Sequence, residues 1–170
     1  MANLDLLENS IPVAPLKLAA LPGSMEMAKK VDSYLVQFRK ELAERRNGVS
    51  FSGYSEDSFL IDCECPRFGS GEAKGKINES VRGADLYILV DVCNYSITYK
   101  VCGYENHMSP DDHYQDLKRV IAALGGKARR ITVIMPMLYE GRQHRRTARE
   151  SMDCAMALQE LTSIGVSNIL

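Results

Sequence analysis

The chain has 170 residues, 45% of them hydrophobic and 25% charged, with 21 Lys+Arg against 22 Asp+Glu and a formal net charge of -1. That balance suits one globular domain with a real core, and it excludes nucleic-acid binding through overall charge, so any anion site must be local. There is no run of about 18 apolar residues to span a membrane, Asp5 and Glu8 stand where a signal peptide would be basic, and five cysteines without a repeated C-x-x-C pairing fit a reduced, cytoplasmic protein.

In chain order, residues 1–15, with Pro12 and Pro15, read as an extension leading into a domain over residues 16–170. Residues 16–21 predict a first strand closed by Pro22-Gly23. Ser24 offers a cap for a helix over residues 25–46, in which Met27, Val31, Tyr34, Leu35, Phe38 and Leu42 recur at helical spacing and Asn47-Gly48 supplies the stop. Residues 59–63 read as a strand, followed by the glycine turn Arg67-Phe68-Gly69-Ser70-Gly71-Glu72 and a short strand over residues 73–77. Cys63 and Cys65 alternate on one face and read as packing residues rather than metal ligands.

Residues 85–92 form the clearest strand, near-continuously apolar and so suited to burial on both faces of a parallel sheet. Residues 94–108 have no period and read as a loop or small hairpin. Ser109-Pro110-Asp111-Asp112 starts a helix that runs to Leu124 and stops at Gly125-Gly126. A strand over residues 131–135, a helix over about residues 151–163 and the start of a strand at residues 166–170 complete the pattern. The fold class is therefore α/β, a mainly parallel sheet flanked by helices, with residues 87–92 and 131–135 as central strands. A last strand with nothing after it suggests a larger protein cut at a domain boundary.

The segment after residues 131–135 carries the chemistry: Arg142, Gln143, His144, Arg145, Arg146 and Arg149. Guanidinium forks at the carboxyl end of a strand in an α/β pattern suit a polyphosphate or carboxylate ligand. A solvated basic loop accounts for the same composition.

Three segments in order, Arg67-Phe68-Gly69-Ser70-Gly71-Glu72, Ile77-Asn78-Glu79-Ser80-Val81-Arg82-Gly83 and residues 136–149, resemble the N-terminal half of the ribose-phosphate pyrophosphokinase (phosphoribosyl pyrophosphate synthetase) family. That family reads R-F-S-D-G-E, I-x-E-x-V-R-G and P-Y-x-x-Y-A-R-Q-D-R at these places, and the resemblance covers roughly residues 16–170. It implies the first of two stacked phosphoribosyltransferase-like three-layer domains. It also implies transfer of the β,γ-diphosphate of ATP to ribose 5-phosphate with Mg2+, in a homo-oligomer whose nucleotide site is shared between subunits. By position, Phe68, Ser70 and Glu72 fall at the base-contacting turn, and Arg142 and Gln143 at the ATP-contacting pair. Arg145, with Arg146 and Arg149, adds to the same field. No residue of this half is implied to be catalytic, and neither nucleic acid nor a membrane is implied as a partner.

The departures are specific. Ser70 stands where the family has an aspartate, His144 replaces the aspartate after Arg-Gln, Glu140 sits at a tyrosine position, and residues 95–107 read as an insertion. The family's histidine at the end of the next strand and its second-half catalytic and ribose-phosphate loops lie beyond Leu170, so this chain alone is expected to be incomplete and inactive. Ser70 and His144 therefore keep open a non-catalytic regulatory or assembly subunit of the same family, and a generic nucleotide-binding domain is a third alternative. The alternative for Phe68 is a core aromatic. Glu79 and Arg82 read as a structural ion pair, His107 and His113 as a poorly placed metal pair, and Met25, Met27, Met135, Met137, Met152 and Met156 as adaptable core.

Overall fold

A computed structural model describes residues 12–45 and 53–170. A four-stranded, all-parallel sheet is ordered β1-β4-β7-β8, where β1 is Leu16–Ala20, β4 Asp85–Leu89, β7 Arg130–Ile134 and β8 Asn168–Ile169. The two strands expected at the centre are there. Period-2 alternation sorts the side chains. Leu86, Ile88, Val90, Ile131, Val133 and Met135 pack under helices α2 (Pro110–Ala123) and α3 (Asp153–Ser163). Leu18, Ala20, Tyr87, Leu89 and Ile134 face α1 (Met25–Arg45) on the other side. The result is the three-layer α/β arrangement, in which burying each large side chain such as Leu86 or Ile88 contributes about 1.5–3 kcal/mol.

Two small antiparallel ladders decorate this sheet. One pairs β2 (Cys63–Glu64) with β3 (Lys76–Ile77), and the other, inside the aperiodic stretch, is a hairpin of β5 (Thr98–Val101) and β6 (Tyr104–His107). The strand expected over residues 59–63 is divided. Leu60 forms an isolated parallel bridge with Leu18 at the sheet edge, and only Cys63–Glu64 enters a ladder, with Asn78 tied to Asp62 between them. Similarly, only Lys76–Ile77 of the strand expected over residues 73–77 is laddered, because Ala73 bridges back to Arg67 to close the glycine turn.

Other expectations need correction. Ser24 does not cap α1: a 3-10 turn over Pro22–Ser24 precedes the helix, and the Ser24 hydroxyl is buried without a hydrogen-bond partner. Within α1, Ala28, Val31 and Leu35 face the sheet and Leu42 is buried, while Tyr34 and Met27 are exposed. The stop expected at Asn47-Gly48 and most of the N-terminal extension lie outside the described residues. Glu79 pairs with Lys17 rather than Arg82, which makes no ion pair among the described residues. Among the methionines, Met135 is buried but Met27, Met137 and Met156 are exposed. The start of α2 is as expected and stronger, since Ser109 and Asp112 form a reciprocal capping box.

Candidate functional site

Because all four sheet strands run the same way, the loops after β1, β4 and β7 leave from one edge. The loop after β7 carries the arginines and is braced from below. Tyr139 stacks on Tyr114 at 4.2 Å with nearly parallel rings, and its hydroxyl donates to Asp111 at 2.7 Å. Burial, and then the Asp111 carboxylate, push the Tyr139 phenol above its ordinary range, so it remains a neutral donor. Glu140 adopts a left-handed φ of 54°, which turns the chain so that the Gln143 amide donates to the Glu140 carbonyl. The Gln143 side chain donates to the Ser151 carbonyl at 2.9 Å and closes the loop at its base.

On this frame Arg142, Arg145, Arg146 and Arg149 are all exposed, and none pairs with a carboxylate among the described residues. Four unneutralised guanidinium groups on a braced loop make a concentrated positive field, ready for a polyanion. His144 folds back toward the Gly141 carbonyl at 3.2 Å. Gln143, by contrast, is a staple of the loop whose amide nitrogen is already engaged.

The Phe68 turn is built separately. Phe68 is 52% exposed, so the core reading of this ring does not hold. The turn closes by Phe68 donating to the Glu72 carbonyl at 2.7 Å and Gly71 to the Phe68 carbonyl at 2.9 Å, with Gly71 at φ 91°. Ser70 donates its hydroxyl to the Glu72 carboxylate at 3.0 Å, so it orients that carboxylate without adding charge. Arg67 anchors the turn: it reaches buried Asp116 at 2.7 Å, the Gly71 carbonyl at 3.3 Å, and lies 4.4 Å from the centre of the Tyr99 ring.

The structure does not bring the two halves together. Asp111, Tyr114 and Lys118 of α2 face the arginine loop and α3, whereas Asp112, Asp116 and Arg119 face the Phe68 turn and the hairpin. At 3.6 residues per turn these are different faces of one helix. Phe68, Ser70 and Glu72 therefore sit on one flank of α2, with Arg142, Gln143 and Arg145 on the other.

The brace residues escaped the sequence reading. The signal for Asp116 was present: a charge among His113, Leu117 and Val120 on the core face of a helix needs a buried partner. Tyr139 and Asp111 lie far apart in sequence and left no local sign. Cys63 and Cys65 are half-buried against the main core, and burial raises the Cys65 thiol to about 12, which makes it an inert packing group. His107 stacks on Tyr95 and His113 is buried against the Asn94 carbonyl, so the two serve different local structures.

Comparison with known proteins gives a consistent family. Residues 16–165 match the model for the N-terminal domain of ribose phosphate pyrophosphokinase. A ribose-phosphate pyrophosphokinase from Shewanella oneidensis is 32% identical over 114 residues, covering 65% of this chain and 32% of that protein. One from Pasteurella multocida is 31% identical with the same coverage. The fold also aligns with the crystal structure of phosphoribosylpyrophosphate synthetase from Mycobacterium smegmatis at a TM-score of 0.58 and 21% identity, covering 91% of this chain and 41% of that one. The chain thus spans about a third of the length of the curated relatives it matches. With the matched segment running over β1, β4 and β7, the glycine turn and the arginine loop alike, the chain belongs to the family of ribose phosphate pyrophosphokinase N-terminal domains.

Proposed function

We propose that this chain is the nucleotide-holding half of an enzyme that transfers the β,γ-diphosphate of ATP to ribose 5-phosphate, supplying phosphoribosyl pyrophosphate for nucleotide biosynthesis. The observation that carries the reading is the set of exposed, carboxylate-free arginines on the braced loop after β7. Arg142 and Arg145 hold phosphate oxygens there, and their fixed charge offsets the negative charge that shifts during phosphoryl transfer. The exposed Phe68 ring offers a stacking face for adenine, and Glu72, oriented by Ser70, accepts from its exocyclic amine.

Mg2+ would enter as the counterion of the nucleotide's phosphates, which it binds together with one or two carboxylates in sites of this chemistry. The separation of Phe68 from Arg142 by α2 supports a homo-oligomer in which the turn of one subunit completes a neighbour's site. Five free cysteines support a cytoplasmic setting, and no helix among the described residues is long and apolar enough to cross a membrane.

The test is titration of the chain with Mg·ATP by calorimetry, for wild type, Arg142→Ala and Arg142→Lys, beside thermal melting. Arg142→Ala should weaken binding by about tenfold or more, as expected for a lost charge-assisted contact of roughly 1.5–3 kcal/mol, with melting unchanged. Arg142→Lys should recover only part, because an ammonium lacks the bidentate fork. Equal affinity in Arg142→Ala removes the loop from the site. Ser70, which takes an acidic position of the family without its charge, favours a second reading: a non-catalytic subunit. Full occupancy by ATP with no diphosphate transfer in the complete protein, together with altered turnover when it is added to an active homologue, selects that reading.

A further inference from the structure

Resting on the reading of Phe68 as a base-stacking group, we infer that the β5–β6 hairpin is a strut that sets the Phe68 turn, with Tyr99 as the positioning residue. Three contacts join the two segments. The Cys102 amide, at the hairpin turn, donates to the Gly69 carbonyl at 2.8 Å. Val101 fills the space a side chain at Gly71 would occupy, where an ideal Cβ would lie 2.8 Å from Val101 Cγ2. The Tyr99 ring lies beneath the Arg67 guanidinium, and its hydroxyl donates to Asp112 at 3.2 Å.

Those contacts matter because the turn has little else to hold its outer end. Its own bonds, Phe68 to Glu72, Gly71 to Phe68 and Ser70 to Glu72, all lie within the turn, and Gly69 and Ser70 are exposed. Arg67 fixes the inner end through Asp116 and a longer bond to the Gly71 carbonyl, both made by one guanidinium whose plane needs a supporting face. The Tyr99 face supplies it, holding the guanidinium plane by a cation–π contact. Tyr99 is itself registered by the Asp112 bond to the capped first turn of α2. Burial opposed by the Ser109 amide and hydroxyl and the Tyr99 hydroxyl leaves the Asp112 carboxyl below its ordinary range, so it remains an acceptor. The stretch that reads as an insertion is thus a second wall of the glycine turn. By holding the approach of Phe68, it tunes recognition of the base and not of the phosphates.

The experiment uses two readouts on the whole chain, for wild type, Tyr99→Phe, Tyr99→Leu and Phe68→Ala. Amide hydrogen exchange over residues 67–73 reports order of the turn, and Tyr99→Leu should raise it about tenfold there while α2 and the sheet stay protected. Tyr99→Phe keeps the ring under Arg67 but loses the Asp112 bond, and should raise exchange less than Tyr99→Leu. Affinity for Mg·ATP relative to Mg·tripolyphosphate reports the base. Tyr99→Leu and Phe68→Ala should each reduce that ratio, by about tenfold for a lost stacking contact, with tripolyphosphate binding unchanged. Unchanged exchange in Tyr99→Leu overturns the strut. Loosened exchange with an unchanged ratio, where Phe68→Ala collapses it, overturns its role in recognition. An unchanged ratio in Phe68→Ala overturns the base-stacking role of Phe68 and the inference with it.

Discussion

Arg67 is a single charge whose removal should cost this fold substantially. Its guanidinium reaches Asp116 at 2.7 Å, and the two side chains are only 13% and 2% exposed. In Arg67→Ala the Asp116 carboxylate keeps one partner, Arg119, at 2.7 Å on its other oxygen. Breaking a buried pair completely costs about 3–5 kcal/mol. Retention of Arg119 reduces that to roughly 2–3 kcal/mol, and the lost contact with the Tyr99 ring adds about 0.5–1 kcal/mol. The sum, about 3 kcal/mol, corresponds to a fall in melting temperature of roughly 6–12 °C for a domain of this size. Urea unfolding of wild type, Arg67→Ala, Asp116→Asn and the double variant measures it. The double variant should be less destabilised than the two singles added together, since the second change removes the buried charge that the first deprived of one of its two partners. Arg119→Ala, more exposed and only one helical turn from its partner, should cost less than Arg67→Ala. A loss below about 1 kcal/mol in Arg67→Ala, or additive singles, would show that the pair is solvated and does not anchor the turn.

Gly75→Ala should destabilise by about 1–3 kcal/mol in the same urea assay, because an ideal Cβ there falls 2.2 Å from the Arg119 carbonyl oxygen of α2, and a neutral result would mean that the two elements are not in contact. Glu160 is held below its ordinary value of 4.5 chiefly by its hydrogen bond from Lys118. A depressed carboxylate stabilises the fold above its unfolded pKa, and that contribution disappears as pH falls through the lower folded value. Melting temperature should therefore drop on acidification below about pH 4.5 less steeply in Glu160→Gln than in wild type, and parallel curves would refute the link.

The sheet was legible in the sequence because its determinants are local. Residues 85–92 and 131–135 are apolar on both faces, which only a covered parallel strand explains, and Ser109 with Asp112 states the helix start outright. Residues 59–63 misled because apolar character marks burial and not a ladder: Phe59 and Ile61 are buried at the edge of β1, yet only Leu60 bridges. Met27, Met137 and Met156 misled in the opposite sense, since a flexible apolar side chain fits a surface as readily as a core. For the candidate site, the arginines and Phe68 were visible as residue types. Their partition across α2 was not, because it depends on where Asp111 and Asp116 point after the helix docks.

The register of the sheet has a kinetic consequence. Leu16 of β1 pairs with Asp85, Asp85 with Arg130, and Thr132 of β7 with Asn168. No strand of the main sheet pairs across a tight turn, so every rung closes a loop of tens of residues before any contact repays the chain entropy. Such high contact order places folding toward the slow end for a domain of this length. The β4–α2–β7 unit, whose helix carries its own capping box, buries the shared face of the two central strands, and β1 joins only across the longest loop. While β1 is absent, the outer side of β4 is an open apolar edge, the form in which this chain is most exposed to pairing with another copy of itself.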